Sequence, residues 1–394
     1  MPSDNDVNTF EFSVPTQVFF GLGSRRNIVP SLINKNWRRI GLVVDHNITG
    51  LDHICELVEV LEKETEVMVY GICDVSEPTY DDLDRIRTQY EIQELDAIVG
   101  IGGGSTLDVA KAMAVLVHNR NPAITYRGFD LMDKPVLPII AIPTTAGTGS
   151  EVTPNASFVD RPGKRKMGIN GEAVRPVLSF LDPELTITCP PEATVSAALD
   201  SVVHGTEAYV AKKSNSIARM LAIGGIRTVL ISLPKVMDNP TDLESREHVM
   251  YGAFLAGLAL MHSGTGPAAA LSYPLGVHFG VPHGIGGALF LPHVAQLNVD
   301  RGYNGYSSLY RSFPDAEINI SDHEASQRFV DQIFTTWDKL SVPDDLDVYG
   351  FKDEYVDLVV SDTLDLIGAL EQNPIDFGEE EIRIVLQRFL DKRS

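Results

Sequence analysis

The sequence predicts an α/β domain over residues 1–190, followed by an all-α domain over residues 191–394. The length of the chain supports two domains, because 394 residues exceed what one hydrophobic core usually serves. Strand-like and helix-like segments alternate in the first half, whereas after Pro191 apolar residues recur at the spacing of helices. Pro190 and Pro191 separate the two patterns, since prolines break regular elements.

The strands and helices of the first half can be taken in chain order. Compact apolar runs predict strands over residues 38–45, 67–73, 96–101 and 136–142. Helical spacing between them predicts helices over residues 52–63, 79–92 and 105–117. Continuous apolar strands that alternate with helices are typical of a parallel sheet covered by helices on both faces.

Strand patterning is nearly absent from the second half. Apolar residues at three-and-four spacing predict helices over residues 193–211, 217–233, 245–260 and 355–370. We therefore expect a helical domain there, built on the packing rules of helix bundles.

Composition and charge exclude several classes of protein. The chain is 44% hydrophobic and 22% charged, which is ordinary for a globular protein, and no uninterrupted apolar run is long enough to cross a bilayer. Residues 1–6 lack the pattern of a secretory signal, and three distant cysteines form no disulfide framework, so we expect a cytoplasmic protein. The net charge of −22 argues against nucleic-acid partners.

A glycine-rich turn follows the predicted strand 96–101. Gly102, Gly103, Gly104 and Ser105 open the next helix, where glycines allow close approach of a ligand and free N–H groups can bind phosphate. Ser105 and Asp108 have the spacing of a capping box. The motif is not the GxGxxG fingerprint, so a tight turn without a ligand remains an alternative.

Two further features lie at the ends of predicted strands. Residues 143–151, which read PTTAGTGSE, follow the strand 136–142 and offer many hydroxyl and N–H groups at the edge where open α/β sheets bind ligands. Asp45 ends the strand 38–45. A carboxylate there can accept hydrogen bonds from a ribose diol and repels a 2′-phosphate, which favours NAD over NADP, although Asp is also a common turn residue.

Candidate metal ligands lie in the second half. Asp200 and His204 are four residues apart and share one helix face, where a carboxylate and an imidazole can hold a divalent cation. The alternative is a hydrogen-bonded pair without a metal. Further on, the segment SYPLGVHFGVPHG contains His278 and His283, and Pro and Gly set its local geometry.

Four segments together resemble the iron-containing (group III) alcohol dehydrogenase family. GGGSTLDVAK, PTTAGTGSEVT, DSVVHGTEAYV and SYPLGVHFGVPHG occur in the order and approximate spacing of that family, within a match from Phe12 to Val294. The resemblance implies a dehydroquinate synthase-like fold, with a Rossmann-like dinucleotide-binding domain, a helical domain and an active site between them. It implies an NAD-dependent alcohol dehydrogenase that acts on a small alcohol or aldehyde and forms a dimer or larger homo-oligomer.

The resemblance also assigns roles to residues. It implies that the glycine-rich turn holds the pyrophosphate and that Asp45 contacts the adenosine ribose. Further residues would lie at or near the cofactor: Thr144, Thr145, Thr148, Ser150, Asp108 and Lys166. Asp200, His204 and His283 match three of the four family metal ligands. Independently of the resemblance, His278 and Tyr273 are candidates for moving the alcohol proton to solvent, and the alternative is that both only pack the cleft.

One family ligand is missing. Ala269 stands where the fourth ligand, a histidine, is expected, and a methyl group cannot coordinate a metal. Three protein ligands plus water can still form a catalytic iron or zinc site, which is the first hypothesis. The second is a metal-independent reductase similar in fold to maleylacetate reductases. The third is a catalytically silent NAD-binding protein. His262 is too far along the chain to replace the histidine without rearrangement.

Overall fold

The computed structural model describes residues 9–74, 77–90, 94–343 and 346–391. They divide into two compact units, of which one is Val14–Pro190 and the other begins at Pro191 and includes the residues before Val14. The ring of Phe12 lies 4.1 Å from that of His262, and Nε2 of His262 lies 3.0 Å from the carbonyl oxygen of Ser13. The sequence predicts Phe12 and Ser13 to lie in the α/β domain, whereas both contact His262 of the helical unit.

The described residues of Val14–Pro190 form a six-stranded sheet whose neighbouring strands are all parallel. The predicted α/β fold is confirmed. The sheet contains β1 (Gln17–Phe20), β2 (Arg39–Asp45), β3 (Glu66–Cys73), β4 (Ala97–Gly102), β6 (Ile139–Pro143) and β9 (Leu178–Leu181). Across the sheet the strand order is β1-β9-β6-β4-β2-β3.

Helices cover the sheet, and alternate strand residues enter two separate cores. On β2, Val43 packs into one hydrophobic cluster, while Leu42 and Val44 pack into the other. This alternation buries both faces of the sheet, as a parallel sheet requires. The helices are α1 (Ile28–Asn34), α2 (Asp52–Glu64), α3 (Tyr80–Arg87) and α4 (Gly104–Leu116).

A second, smaller sheet is an addition to the predicted pattern. It has the order β5-β8-β7, where β5 is Gly128–Phe129, β7 is Asn155–Asp160 and β8 is Arg165–Asn170. β7 and β8 pair antiparallel, and burial alternates along β7 because one face of this sheet is exposed.

Two helix starts differ in their caps. α3 begins at a capping box of Thr79 and Asp82 and ends at Arg87. The helix predicted over residues 79–92 is therefore too long, since residues 88–90 form a turn; residues 91 and 92 lie outside the described residues. α4 begins at Gly104 with Gly103 as its N-cap and no side-chain cap. The capping box predicted from Ser105 and Asp108 is therefore wrong, because both residues lie within the helix.

The helical unit contains the predicted long helices and several shorter ones. Its described helices are α5 (Pro191–Val210), α6 (Ser216–Asp238), α7 (Leu243–Met261), α8 (Pro267–Phe279), α9 (His283–Asp300), α10 (Ser307–Arg311), α11 (Asp322–Lys339), α12 (Val356–Leu364), α13 (Ile367–Leu370) and α14 (Glu379–Asp391). The segment predicted as one helix over residues 355–370 divides into α12 and α13.

Within the described chain, α6 is the one helix that is long and apolar enough to cross a membrane. It packs instead on α5 and α7. A Cβ on Gly225 would lie 2.8 Å from the carbonyl oxygen of Gly252, so the backbones of α6 and α7 touch at these two glycines. Core helices commonly meet the same criteria of length and composition, so this is weak evidence for a membrane span.

Candidate active-site residues

Three adjacent strands bring most of the predicted cofactor residues to one sheet edge. β2 ends at Asp45, β4 at Gly102 and β6 at Pro143, and Gly102 is the register partner of Pro143. The N–H of Thr144 donates to the carbonyl oxygen of Gly102 at 3.0 Å. The glycine-rich turn and the PTTAGTGSE loop therefore meet at the carboxyl edge of the sheet, where open α/β sheets bind ligands.

The glycines of the turn allow close packing. A Cβ on Gly102 would lie 2.7 Å from Cβ of Thr106 and 2.9 Å from Cβ of Asp45, and a Cβ on Gly104 would lie 2.6 Å from Cγ2 of Thr148. At Gly103 the nearest atom, on Thr145, would be 3.4 Å away. Gly102 and Gly104 are thus the positions where a side chain would displace the structure.

Asp108 and Ser150 hold the loop against α4. Oγ of Ser150 donates to Oδ1 of Asp108 at 2.6 Å, and Oδ2 of Asp108 accepts the N–H of Ser157 at 2.8 Å. Both carboxylate oxygens of Asp108 are therefore engaged within the protein. These contacts hold the PTTAGTGSE loop in place against α4.

Lys111 completes this network and is absent from the site residues predicted from the sequence. Its buried Nζ donates to Oγ of Ser150 at 2.7 Å and to the carbonyl oxygens of Thr153 at 3.2 Å and Asn155 at 2.6 Å. Burial lowers the pKa of Lys111 to about 8, and the nearby carboxylates of Asp108 and Glu151 raise it only in part. The spacing of Asp108 and Lys111, three residues apart on one helix, was the signal that could have revealed it.

Asp45 and Lys166 have local partners. Oδ1 of Asp45 accepts the N–H of Asn47 at 2.9 Å, which caps the short helical turn His46–Ile48. Asp45 therefore acts as a turn residue at the sheet edge, which is the alternative considered for it from the sequence. Lys166 lies on β8, where its Nζ pairs with Oε2 of Glu77 at 2.7 Å. Its partner Glu77 lies between β3 and α3, so this contact does not involve the glycine-rich turn.

Three predicted metal ligands come together in the helical unit. Asp200 and His204 lie on α5, and His283 is the first residue of α9. Oδ1 of Asp200 lies 3.7 Å from Nε2 of His204 and 3.7 Å from Nε2 of His283. The three ligand atoms lie within 4.8 Å of one another, which is close enough to surround one ion.

Gly284 makes this approach of α9 to α5 possible. A Cβ at that position would overlap the carbonyl oxygen of Ser196 and lie 3.0 Å from Cβ of Asp200. The glycine after His283 therefore lets the start of α9 contact the ligand-bearing face of α5.

The cluster fits a divalent cation in its chemistry. It offers one carboxylate and two imidazoles, the 2-His-1-carboxylate donor set that holds Fe(II) with coordination positions left open. Nδ1 of His204 is also buried without a hydrogen-bond partner in the described structure, which is unusual unless the ring has another task. Asp200 and His204 are nearly inaccessible to solvent, so little water would compete with these side chains for an ion.

Ala269 lies on α8, and its neighbourhood is occupied by a buried carboxylate. Oε1 of Glu207 accepts the N–H groups of Ala268 at 2.7 Å and Ala269 at 3.2 Å, and Oε2 accepts that of Gly266 at 2.7 Å. Burial raises the pKa of Glu207 to about 7, although these three N–H groups lower it. Glu207 lies three residues after His204 on α5, so one helix carries two candidate ligands and the anchor of α8.

The remaining candidates differ in their surroundings. The ring of Tyr273 lies 4.9 Å from that of His283, beside the candidate ligands. Nε2 of His278 lies 2.6 Å from Oδ2 of Asp362 on α12, in a largely buried pair. His262 contacts Phe12 and Ser13, as described above, and is not in the ligand cluster.

Family models match both units of the chain. The model of iron-containing alcohol dehydrogenases matches residues 15–183, and that of the C-terminal region of Fe-containing alcohol dehydrogenases matches residues 194–390. The chain belongs to the iron-containing alcohol dehydrogenase family. The resemblance seen in the four sequence motifs is confirmed, and the chain is an enzyme, an oxidoreductase that acts on alcohols.

Relatives of this alcohol dehydrogenase match over most of its length. An NAD-dependent methanol dehydrogenase of Bacillus methanolicus is 30% identical over 301 residues, covering 76% of this chain and 79% of its own. Long-chain-alcohol dehydrogenase 1 of Geobacillus thermodenitrificans is 29% identical over 371 residues, 93% of each chain. The crystal structure of a 1,3-propanediol oxidoreductase has a TM-score of 0.90 at 25% identity, covering 97% of this chain and 100% of that one.

These matches bear on the three hypotheses drawn from the sequence. They favour the NAD-dependent alcohol dehydrogenase and not the metal-independent reductase, because the family is defined as iron-containing and the relatives are alcohol dehydrogenases. They equally disfavour a catalytically silent binding protein. The expectation that Ala269 stands at the position of a fourth family ligand stays a prediction from the sequence.

Proposed function

We propose that this enzyme oxidises a small alcohol with NAD, and reduces the corresponding aldehyde with NADH, at a divalent metal held by Asp200, His204 and His283. The clustering of these three side chains is the observation that supports the proposal most directly. A metal bound there supplies Lewis acidity, which lowers the pKa of an alcohol. NAD supplies the acceptor for the hydride.

The cofactor residues have proposed roles that follow from their places at the sheet edge. The N-terminus of α4, with Gly102, Gly103 and Gly104, would bind the pyrophosphate through N–H groups and the helix dipole. Asp45 would accept hydrogen bonds from the adenosine ribose. The residues proposed to line or support the remaining cofactor site are Ser105, Asp108, Thr144, Thr145, Thr148, Ser150 and Lys166.

The donor set favours iron, with zinc as the alternative. Two imidazoles and a carboxylate with open positions suit Fe(II), and three protein ligands plus an open position also suit catalytic zinc. Because Ala269 supplies no fourth ligand, we expect the metal to be held less tightly than it would be by four side chains.

Tyr273 and His278 are the proposed route for the alcohol proton. Tyr273 lies beside His283, and Nε2 of His278 lies 2.6 Å from Oδ2 of Asp362. Both side chains therefore have surroundings that suit proton transfer, and Tyr273→Phe and His278→Gln test each of them through the pH dependence of turnover.

Substrate size and assembly are proposals that rest on relatives and on the family. Two of the relatives named above are a methanol dehydrogenase and a long-chain-alcohol dehydrogenase, so the substrates of relatives span a wide range of chain length. We propose a small alcohol as substrate and a homo-oligomer as the active form. A panel of alcohols of increasing length and analytical ultracentrifugation test the two statements, and a cytoplasmic location stays a prediction from the sequence.

The central experiment uses protein purified without chelator. We expect stoichiometric iron or zinc by elemental analysis and NADH formation, followed by absorbance, with an alcohol substrate. His283→Ala should lose both the metal and turnover while NAD still binds in calorimetry. His262→Ala, which removes an imidazole bonded to Ser13, is the matched control. Full turnover in protein shown to be metal-free would contradict the proposal.

A further inference from the structure

We propose that Ser272 is a positioning residue that fixes the tautomer of His283, so that the lone pair of Nε2 is presented to the metal. This inference rests on the proposed function, because the metal site is part of it. Ser272 lies on α8 and His283 begins α9, so the contact joins the helix that lacks a ligand to the helix that provides one.

The hydrogen bonds of Ser272 determine where the proton of His283 lies. Oγ of Ser272 is 2.6 Å from the carbonyl oxygen of Ala269 and 2.7 Å from Nδ1 of His283. A hydroxyl has one proton, and a carbonyl oxygen can only accept, so Ser272 donates to Ala269. The 2.7 Å contact then requires a proton on Nδ1, since two lone pairs would otherwise face each other.

A proton on Nδ1 leaves Nε2 of the neutral ring with its lone pair. Nε2 is the atom that lies 3.7 Å from Oδ1 of Asp200 and within the ligand cluster. Metals bind the unprotonated nitrogen, and the partner of the other nitrogen selects which one that is. Ser272 therefore orients His283 for coordination before any ion arrives.

The packing around Ser272 keeps this contact short and dry. Ser272 is 1% exposed, so water competes little for its hydroxyl. A Cβ on Gly286 would lie 3.0 Å from Cβ and 3.2 Å from Cα of Ser272, which shows how closely α9 passes α8. A larger residue at position 286 would move Ser272 away from His283.

The two candidate imidazole ligands thus differ in the hydrogen bonding of Nδ1. Nδ1 of His204 is buried without a hydrogen-bond partner in the described structure, whereas Nδ1 of His283 is engaged by Ser272. In a site with three protein ligands, the orientation of each one matters more than in a site with four. We therefore expect the contribution of Ser272 to metal affinity to be large for a single hydroxyl.

Zinc affinity measured by competition with a chelating dye tests the inference. Ser272→Ala should weaken Zn²⁺ binding about 10- to 100-fold, the usual effect of removing the hydrogen-bond partner of a metal-ligating histidine. Gly286→Ala, which keeps the hydroxyl but displaces it, should weaken binding in the same direction. Ser201→Ala is the matched control, because Ser201 is equally buried and its hydroxyl donates to the carbonyl oxygen of Ala198 at 2.6 Å, without a hydrogen bond to an imidazole among the described residues.

Ring ¹⁵N signals of histidine-labelled, metal-free protein give a readout that does not depend on metal binding. We expect Nδ1 of His283 to carry the proton in the natural protein, and Ser272→Ala, but not Ser201→Ala, to shift the proton towards Nε2. A natural protein with the proton on Nε2, or a folded Ser272→Ala variant with unchanged signals and unchanged zinc affinity, would overturn the inference. If the natural protein binds no zinc, the proposed metal site fails, while the ring signals still decide the role of Ser272.

Discussion

Replacing Lys111 with methionine separates what the buried charge contributes to stability from what the aliphatic part of the side chain contributes. Methionine keeps most of the aliphatic length but removes the donor to Ser150 and to the carbonyl oxygens of Thr153 and Asn155. The buried carbonyl group of Thr153, left without this donor, costs about 1–3 kcal/mol. The loop that carries Ser150 should therefore loosen, and we expect NAD binding to weaken about tenfold or more.

The pH dependence of the free energy of unfolding gives a more specific estimate of the contribution of Lys111. Burial lowers the pKa of Lys111 from 10.5 to about 8, a difference of about 2.5 units or about 3 kcal/mol. Because the pKa in the folded state is below that in the unfolded state, the folded state binds fewer protons between pH 8 and 10.5. The contribution of Lys111 to stability therefore rises with pH across this window.

Each unit contains one tryptophan, Trp37 in the α/β unit and Trp337 in the helical unit. In a Trp337→Phe background, urea unfolding followed by the fluorescence of Trp37 reports on the unit that contains Lys111. The free energy of unfolding of the parent protein should rise relative to that of Lys111→Met by about 3 kcal/mol from pH 8 to 10.5. Parallel curves over this range would refute the reasoning.

Four further predictions use single substitutions. Asp45→Gly should relax the preference for NAD over NADP, which we expect to be roughly tenfold or greater because the carboxylate repels a 2′-phosphate; equal kcat/KM with both cofactors in the natural protein would disprove the role. Gly104→Ala should abolish measurable NAD binding in calorimetry, because its Cβ would meet Cγ2 of Thr148 at 2.6 Å, whereas Gly50→Ala, with nothing within 4 Å, should not. Burial raises the pKa of Glu207 from 4.5 to about 7, so the stability that this residue contributes is fully present below pH 4.5 and is lost as pH rises through about 7. The free energy of unfolding should fall by about 3 kcal/mol across this range in the natural protein and should not fall in Glu207→Gln. Urea unfolding followed by Trp337 fluorescence measures the difference. Ala269→His should tighten zinc binding in the dye competition, and unchanged affinity would show that position 269 does not face the ligand cluster.

The buried strands were the most predictable elements, because strands buried on both faces are continuous apolar runs. The strand predicted over residues 38–45 is observed as Arg39–Asp45, and that over residues 96–101 as Ala97–Gly102. β7 and β8 escaped prediction because their sheet is half exposed. Exposed positions such as Lys164 and Arg165 at its turn interrupt the apolar pattern that identifies a strand.

The segment around α8 shows where local propensity fails. Pro274 lies inside this helix and Gly276 follows it, and both residues disfavour a helix interior. Tertiary burial overrides this preference, since Leu271 and Leu275 are fully buried. For the same reason the contact of Ser272 with His283 could not be predicted, because it depends on how closely α9 approaches α8 at Gly286.

The three candidate ligands come from distant parts of the chain, since Asp200 and His204 lie on α5 and His283 begins α9. Contacts of long sequence separation form late in folding, because the closure of the intervening loop must come first. An ion that binds only the completed cluster acts on the native state after the folding barrier has been crossed. We therefore expect it to prolong the lifetime of the folded helical unit by slowing unfolding, and to leave the rate of refolding nearly unchanged.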